Sequence, residues 1–352
     1  MKLRDTTTRM KRLFLCCIPF FLLISACSTS NEKAEVNVDV QHINGEAQGT
    51  TYSIKYVGDK KVQKASVDSI LRQIDLSLSA WVDGSVINQF NASDSIVVSD
   101  GHFLNVFFRG KEISEQTGGS FQPMIMPLVR AWGFGPEGGR LKEGVELDSL
   151  KQLVNFNYEI SPLEGGDSVR FVKPDGYQMD VNGIAQGYSV DVVSDYLESF
   201  GINSYMTEIG GEVRAKGFNE NNSSWRIGID KPISNQSERQ LQAIFELDNA
   251  SLATSGNYRK FYEIDGKRYS HTIDPSTAEP VQHQLLSATV LAPNCTNADA
   301  FATAFMVMGV DRTIRFVKEN PQLNLGIYLI FEKEGELKSF MSESLSQKLE
   351  EL

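Results

Sequence analysis

Two hydrophobic periods are interspersed along this chain without a regular strand-helix-strand beat, and that mixture restricts the fold more than any other feature. Residues 50–57 alternate apolar and polar positions as a half-buried strand does, and Gly58-Asp59 ends the run. Val67, Ile70, Leu71, Ile74 and Leu78 follow helical spacing instead, which predicts an amphipathic helix over 67–78. A second helix is expected from His102 to about Gln116, with Phe103, Val106, Phe107 and Ile113 on one face and Gly118-Gly119 as its stop signal. A third should run from Ile184 to Phe200 and stop at Gly201. Short β-like runs follow at 204–207, 225–229 and 242–247, then a helix after Asn297, another from Asp311 to Lys318, and closing strands near 324–331 and 337–341. This order predicts an α+β class with mixed or antiparallel sheets and packed helices, not a doubly wound nucleotide fold. No internal repeat or Pro-rich linker divides the chain, so one domain is expected over residues 42–345.

The first residues stand apart from that domain. Lys2, Arg4, Arg9, Lys11 and Arg12 precede an apolar run, Leu13 to Ile24, that is short for a bilayer span, so residues 1–26 read as a signal peptide. Small residues before Cys27 resemble a bacterial lipobox, which makes Cys27 the expected lipidation site; the alternative is an ordinary secretory signal with an incidental cysteine. Polar residues 27–41 would then form a tether, and the protein would sit lipid-anchored on the periplasmic side of a bacterial membrane. Removing residues 1–26 takes away five basic residues and Asp5, leaving 29 Lys and Arg against 44 Asp and Glu. So acidic a chain offers no basic face for nucleic acid. Only Cys295 remains besides Cys27, so no intramolecular disulfide is available and a large core must stabilise the fold.

Three segments carry side chains with chemistry. Met179 to Asp191 joins Asp180 to a glycine turn and an apolar helix, an arrangement that lets backbone approach an anionic or planar ligand, and one that also makes an ordinary sharp turn. Asp299 and Thr303, four apart on a helix, offer two hard oxygens to a cation such as magnesium; equally, the carboxylate could complement the helix dipole and the threonine bond back to the preceding turn. His271, between Ser270 and Thr272 and before Asp274-Pro275, is placed either to act as a base or to play a structural part.

In their order along the chain these segments resemble the FAD:protein FMN transferase family, also called ApbE. The resemblance runs from about Gly45 to about Ile330 through Gly49-Thr-Thr-Tyr52, Ser79-Ala-Trp81 with Ser85 to Asn91, Thr117-Gly-Gly-Ser-Phe121, Trp132-Gly-Phe-Gly135 and Asp180-Val-Asn-Gly-Ile-Ala-Gln-Gly187. It continues through Ile209-Gly-Gly-Glu-Val-Arg-Ala-Lys-Gly217, Ala253-Thr-Ser-Gly-Asn-Tyr258, Ser270-His-Thr-Ile-Asp-Pro275 and Ala298 to Thr303. It implies an exported flavin enzyme that cleaves FAD with magnesium, joins FMN through its phosphate to a threonine or serine of an acceptor protein, and releases AMP. By the same resemblance Asp299 and Thr303 become metal ligands, with backbone oxygens of Gly183 and Ala302 completing the set. Gln48, Trp81, Ser120, Phe121, Gln122, Asp180, Gln186 and Ile273 fall at FAD-contact positions, with Trp81 against the flavin ring. His271 is the expected base and Asp274 its orienting or alternative partner. The implied acceptor is an exported or membrane-anchored protein of an electron-transport system.

The chain departs from the family pattern where members commonly carry methionine, aspartate and lysine: here stand Gln48, Gln122 and Gln186, all neutral. Loss of a cation near the diphosphate predicts altered FAD affinity before lost function. Two competing readings are a magnesium-dependent FAD pyrophosphatase giving FMN and AMP, and a flavin-binding lipoprotein without catalysis.

Overall fold

The computed structural model describes residues 39–138, 146–164, 166–232, 240–257, 261–264 and 267–352. The expected signal peptide, Cys27 and the tether up to residue 38 lie outside the described residues, as does Tyr258 of the Ala253 motif.

Eight strands form one antiparallel sheet whose spatial order is the chain order: β1 (Val40–Ala47), β2 (Thr50–Val57), β3 (Tyr205–Ile209), β4 (Glu212–Lys216), β5 (Ala250–Gly256), β6 (Leu285–Ala292), β7 (Gly326–Lys333) and β8 (Glu336–Met341). Of the mixed or antiparallel sheets expected, this sheet is antiparallel throughout. Successive side chains in its centre point to opposite faces: Ala253, Val290 and Leu329 belong to a core on one side, while Leu252, Leu291, Tyr328 and Ile330 belong to another. The first face is covered by helices. The second packs on a three-stranded sheet of residues Trp225–Asp230, Leu241–Leu247 and Leu349–Glu351, through Trp225, Ala243, Phe245 and Leu247.

Strand pairing carries the fold past the expected 42–345 at both ends. Val40 already pairs with Val57, and Leu349 pairs with Phe245. The first of these was masked because β1 buries only Ile43 and so reads as polar as a tether.

The helices are α1 (Lys64–Leu78), α2 (Val86–Ala92), α3 (Gly101–Gln116), α4 (Met126–Ala131), α5 (Leu147–Lys151), α6 (Ala185–Ser199) and α7 (Cys295–Glu319). The apolar face read from the spacing of α1 is buried at Val67, Leu71, Ile74 and Leu78. α3 starts where Asp100 caps it, its Oδ1 accepting from the Phe103 amide at 2.7 Å. Its buried rings, Phe103 and Phe107, meet Phe90 and Phe171 with centroids 4.9–6.2 Å apart, the aromatic centre of the largest core. The two helices expected after Asn297 and from Asp311 form one continuous stretch broken at Gly309, whose φ of 73° only glycine adopts readily. There His283 Nε2 lies 2.7 Å from the Met306 carbonyl, a partner for backbone freed by the kink.

Candidate functional site

The floor of the site forms where α6 meets the first turns of α7. Asn294 caps α7 by accepting from the Asn297 amide at 2.9 Å. A carboxylate from α6 strengthens that end: Asp191 accepts from the amides of Cys295 (3.0 Å) and Thr296 (2.8 Å) and from Thr296 Oγ1 (2.6 Å). Arg214 on β4 in turn holds Asp191 at 3.2 Å. Thus anchored, α7 presents Asp299 and Thr303 on one face.

Two glycines bring the preceding turn and α6 against that face. A Cβ at Gly183 would stand 2.7 Å from Thr303 Oγ1, and one at Gly187 would stand 2.3 Å from the Cys295 carbonyl oxygen. With no side chain intervening, the Gly187 amide donates to Asp299 Oδ2 at 3.0 Å. The glycines of this segment therefore set a close helix contact as well as a turn.

Above this floor opens a cleft of about 1260 Å³, larger than the roughly 300–1,000 Å³ typical of small-ligand pockets. Gln48 reaches it from the β1–β2 turn, where Gln48 and Gly49 both have positive φ (55° and 71°) as a two-residue hairpin requires. Its Nε2 donates to Ser189 Oγ at 2.7 Å, and its Oε1 is buried with no partner. Trp81, 64 % exposed, stands in the loop after α1. Ser120, Phe121 and Gln122 follow the Gly118-Gly119 turn: Ser120 Oγ accepts from Arg312 Nη2 at 3.2 Å, the Phe121 amide donates to Thr117 Oγ1 at 3.1 Å, and Gln122 Oε1 accepts from the Met124 amide at 3.0 Å. Asp180 accepts from the Asn182 amide at 2.7 Å. Gln186 packs under the next glycine turn, its Nε2 2.8 Å from where a Gly210 Cβ would sit.

His271 also lines the cleft, exposed, with the Phe134 ring edge-on at 6.5 Å. Ile273 lines it too and buries the rest of its side chain against Leu128 and Trp132. The structure thus gathers twelve of the fourteen expected site residues of the folded domain around one cleft. Asp274 and Ala302 are the other two and are not among its lining residues. Asp274 Oδ1 accepts from Ser276 N (2.8 Å) and Ser276 Oγ (2.6 Å), which commits that oxygen to the turn following His271. Ala302 is fully buried within α7.

Spacing along the chain missed two acids of this cleft, Asp75 and Glu212; Thr254 and Ser255, from the hydroxyl-bearing Ala253 motif, line it as well. Asp75 escaped because a helix is read from its apolar face. Glu212 opens β4 directly after Gly210-Gly211, and an acidic residue at a strand start beside a glycine pair was its only local signal. Ser255 Oγ lies 3.4 Å from Thr303 Oγ1, and Thr254 Oγ1 lies 2.9 Å from Thr289 Oγ1.

The carboxyls that line the cleft are shifted by their burial. Burial pushes the Asp299 carboxyl up to about 7 against the opposing pull of the Gly187 amide. Burial also raises Glu212 well above the usual carboxylate range, and the charge of Asp299 raises it further. Among the described residues lining the cleft are four carboxylates, Asp75, Asp180, Glu212 and Asp299, and no lysine or arginine. Hard carboxylate and hydroxyl oxygens gathered in one cleft fit a magnesium-like cation. No group of three or more His, Cys, Asp or Glu gathers among the described residues, so such an ion would rest on a mixed set of carboxylate, hydroxyl and backbone oxygen.

A pH dependence follows. In the metal-free protein these carboxyls keep protons that the unfolded chain has already released, so stability falls as pH rises from the ordinary carboxylate range, near 4, towards 7. The thermal midpoint in EDTA should drop between pH 5 and pH 7, and magnesium should restore it. A midpoint that climbs over that interval would overturn the assignment of protons to this pair.

A model of the ApbE family matches residues 48–327. The chain belongs to the ApbE family. Among its relatives, a FAD:protein FMN transferase of Vibrio cholerae is 34% identical over 343 residues, covering 95% of this chain and 98% of its own. One of Escherichia coli is 30% identical, covering 91% and 93%. The same architecture recurs in solved structures. The flavin transferase ApbE from Vibrio cholerae superposes with a TM-score of 0.76 at 32% identity, over 88% of this chain and 99% of that one. The flavinyl transferase ApbE of Pseudomonas stutzeri, in its apo form, gives 0.76 at 30% identity, over 88% and 97%. The α+β expectation for the ApbE family therefore holds for this chain.

Proposed function

We propose that this transferase cleaves FAD at its pyrophosphate, joins FMN to a threonine or serine hydroxyl of an exported acceptor protein, and releases AMP. The acceptor oxygen attacks the phosphorus on the riboflavin side, a P–O bond to that oxygen forms, and the P–O bond to the AMP phosphate breaks. The hydroxyl proton passes to a base, for which His271 is in position on the cleft wall. A bound magnesium would neutralise pyrophosphate charge and orient it for in-line attack. Asp299 and Thr303 would hold that ion, with Gly183 beside them.

The observation that carries this reading is the convergence of Asp299, Thr303 and His271 on a single large cleft within an ApbE-family fold. The absence of lysine and arginine from the described lining adds to it, because a diphosphate entering beside four carboxylates depends on a cation for its charge. Gln186 contributes to that dependence as a neutral group where a cation would otherwise offset the phosphates. The exposed Trp81 supplies an aromatic face at the cleft for the flavin ring. Lipid attachment at Cys27 would hold this cleft at the periplasmic surface of a membrane, near acceptors of an electron-transport system.

The test is mass spectrometry of a threonine-containing acceptor domain incubated with the enzyme, FAD and magnesium, with nucleotides assayed in the same mixture. An acceptor mass gain equal to one FMN, matched by AMP, is expected. AMP and free FMN beside unmodified acceptors would assign a pyrophosphatase, and intact FAD would assign a binding protein.

A further inference from the structure

Among the described residues lining the cleft, Glu212 is the one carboxylate with a buried oxygen that lacks a partner. Asp180 is held by Asn182, Asp75 by Gln48, and Asp299 by the Gly187 amide. Glu212 is 8% exposed, lines the same cleft, and its Oε2 has no hydrogen-bond donor among the described residues; the contact its carboxylate does make is with its own backbone amide. A polar atom so enclosed calls for a partner. No lysine or arginine is among the described residues lining the cleft, and Asp299, the charge that acts on Glu212 most strongly, has the same sign.

We propose that Glu212 is a member of the cation-holding set, facing the ion bound by Asp299 and Thr303 and supplying the second negative charge of that site. This rests on the magnesium reading above and extends it to a residue outside the expected set. Position supports it. Glu212 begins β4, while Asp299 lies on α7 and is tied to α6 through Gly187, so an ion between the two acids would join sheet and helices at the cleft floor. The hard oxygens of two carboxylates and a hydroxyl suit magnesium or manganese and exclude a soft-metal site.

The test is titration of the full-length protein in detergent with Mn²⁺, read by electron paramagnetic resonance as free ion, for wild type, Glu212→Gln and Glu212→Asp, with no flavin present. Glu212→Gln keeps size and removes charge; it should weaken Mn²⁺ binding about 10- to 100-fold, the range found when partners around a metal site are lost. Glu212→Asp, keeping the charge, should recover part of the affinity. The metal-free thermal midpoint of Glu212→Gln should stay level or rise, since the glutamine matches the size of the carboxyl and cannot ionise in its buried place. Wild-type affinity in Glu212→Gln, or a lowered midpoint with unchanged affinity, overturns the role and leaves a structural residue. Should the wild type itself bind no Mn²⁺, the magnesium reading fails first, and with it this one. Should Glu212→Gln not fold, Glu212→Asp decides alone: affinity equal to wild type at reduced stability overturns the proposal, and a selective loss of affinity upholds it.

Discussion

Asp299→Ala should reduce flavin transfer by roughly three orders of magnitude or more, while the protein stays folded. The size comes from the worth of a cation to a phosphoryl transition state, several kcal/mol, at about tenfold per 1.4 kcal/mol. The expected survival of the fold comes from the cost of the group itself: Asp299 is 5% exposed, with its carboxyl pushed up to about 7 by burial, so its loss relieves the metal-free protein of a carboxyl whose ionisation burial opposes. Two readouts separate these effects, AMP release with acceptor mass for chemistry and the thermal midpoint in EDTA for stability. Turnover within tenfold of wild type would sink the assignment of Asp299 to the cation. Asp299→Asn, which retains an oxygen for the Gly187 amide, should fold like wild type and be as impaired as Asp299→Ala.

Gly187→Ala should damage both stability and activity. One methyl group is a small change, but its position is 2.3 Å from the Cys295 carbonyl oxygen and 2.7 Å from Asp299 Cβ. The first obstacle is backbone and cannot rotate aside. α6 and α7 would have to part, which strains the contacts of Asp191 with the start of α7 and breaks the Gly187–Asp299 hydrogen bond. Overpacking of this kind costs about 3 kcal/mol or more, a fall of roughly 5–10 °C in thermal midpoint for a domain of this size. Because Asp299 moves with α7, magnesium should also fail to restore the midpoint. A variant with wild-type midpoint and wild-type magnesium response would show that the α6–α7 seam is looser than its distances imply. Read together, the two substitutions are diagnostic: Asp299→Ala removes the chemistry and keeps the fold, and Gly187→Ala takes both.

How much of this was legible beforehand varies with how local each feature is. The helical spacing of Val67, Leu71, Ile74 and Leu78 is a property of fifteen consecutive residues and was readable directly. The same holds for the Gly118-Gly119 stop and for Gly201, whose φ of 70° ends α6. β6 went unread for the opposite reason. Its eight residues Leu285–Ala292 are buried on both faces at the centre of the sheet, so the period-two signal of a half-buried strand is lost. β5 was hidden likewise, because Thr254, Ser255 and Gly256 look like a turn until β6 pairs with them. The break at Gly309 fell between two helical patterns that were each recognised, and the Met306 carbonyl beside it meets His283, a residue outside the helix.

The site divides along the same line. Asp299 and Thr303 are four apart on one helix, and the ordered motifs from Gly49 to Thr303 are specific enough to place the chain in its family before any coordinate is known. The residue types at the cleft, the glycines that allow close approach and the excess of acid over base are likewise written in the sequence. What tertiary structure alone decided is which of those acids share one buried space. Asp75, Asp180, Glu212 and Asp299 are spread over more than two hundred residues and come together only because an eight-stranded sheet sets β4 near α7 and Gly187 lets α6 close on it. Local spacing records the faces of single elements; burial and the charge around a carboxylate are set by neighbours distant in the chain, and those are fixed only when the elements pack.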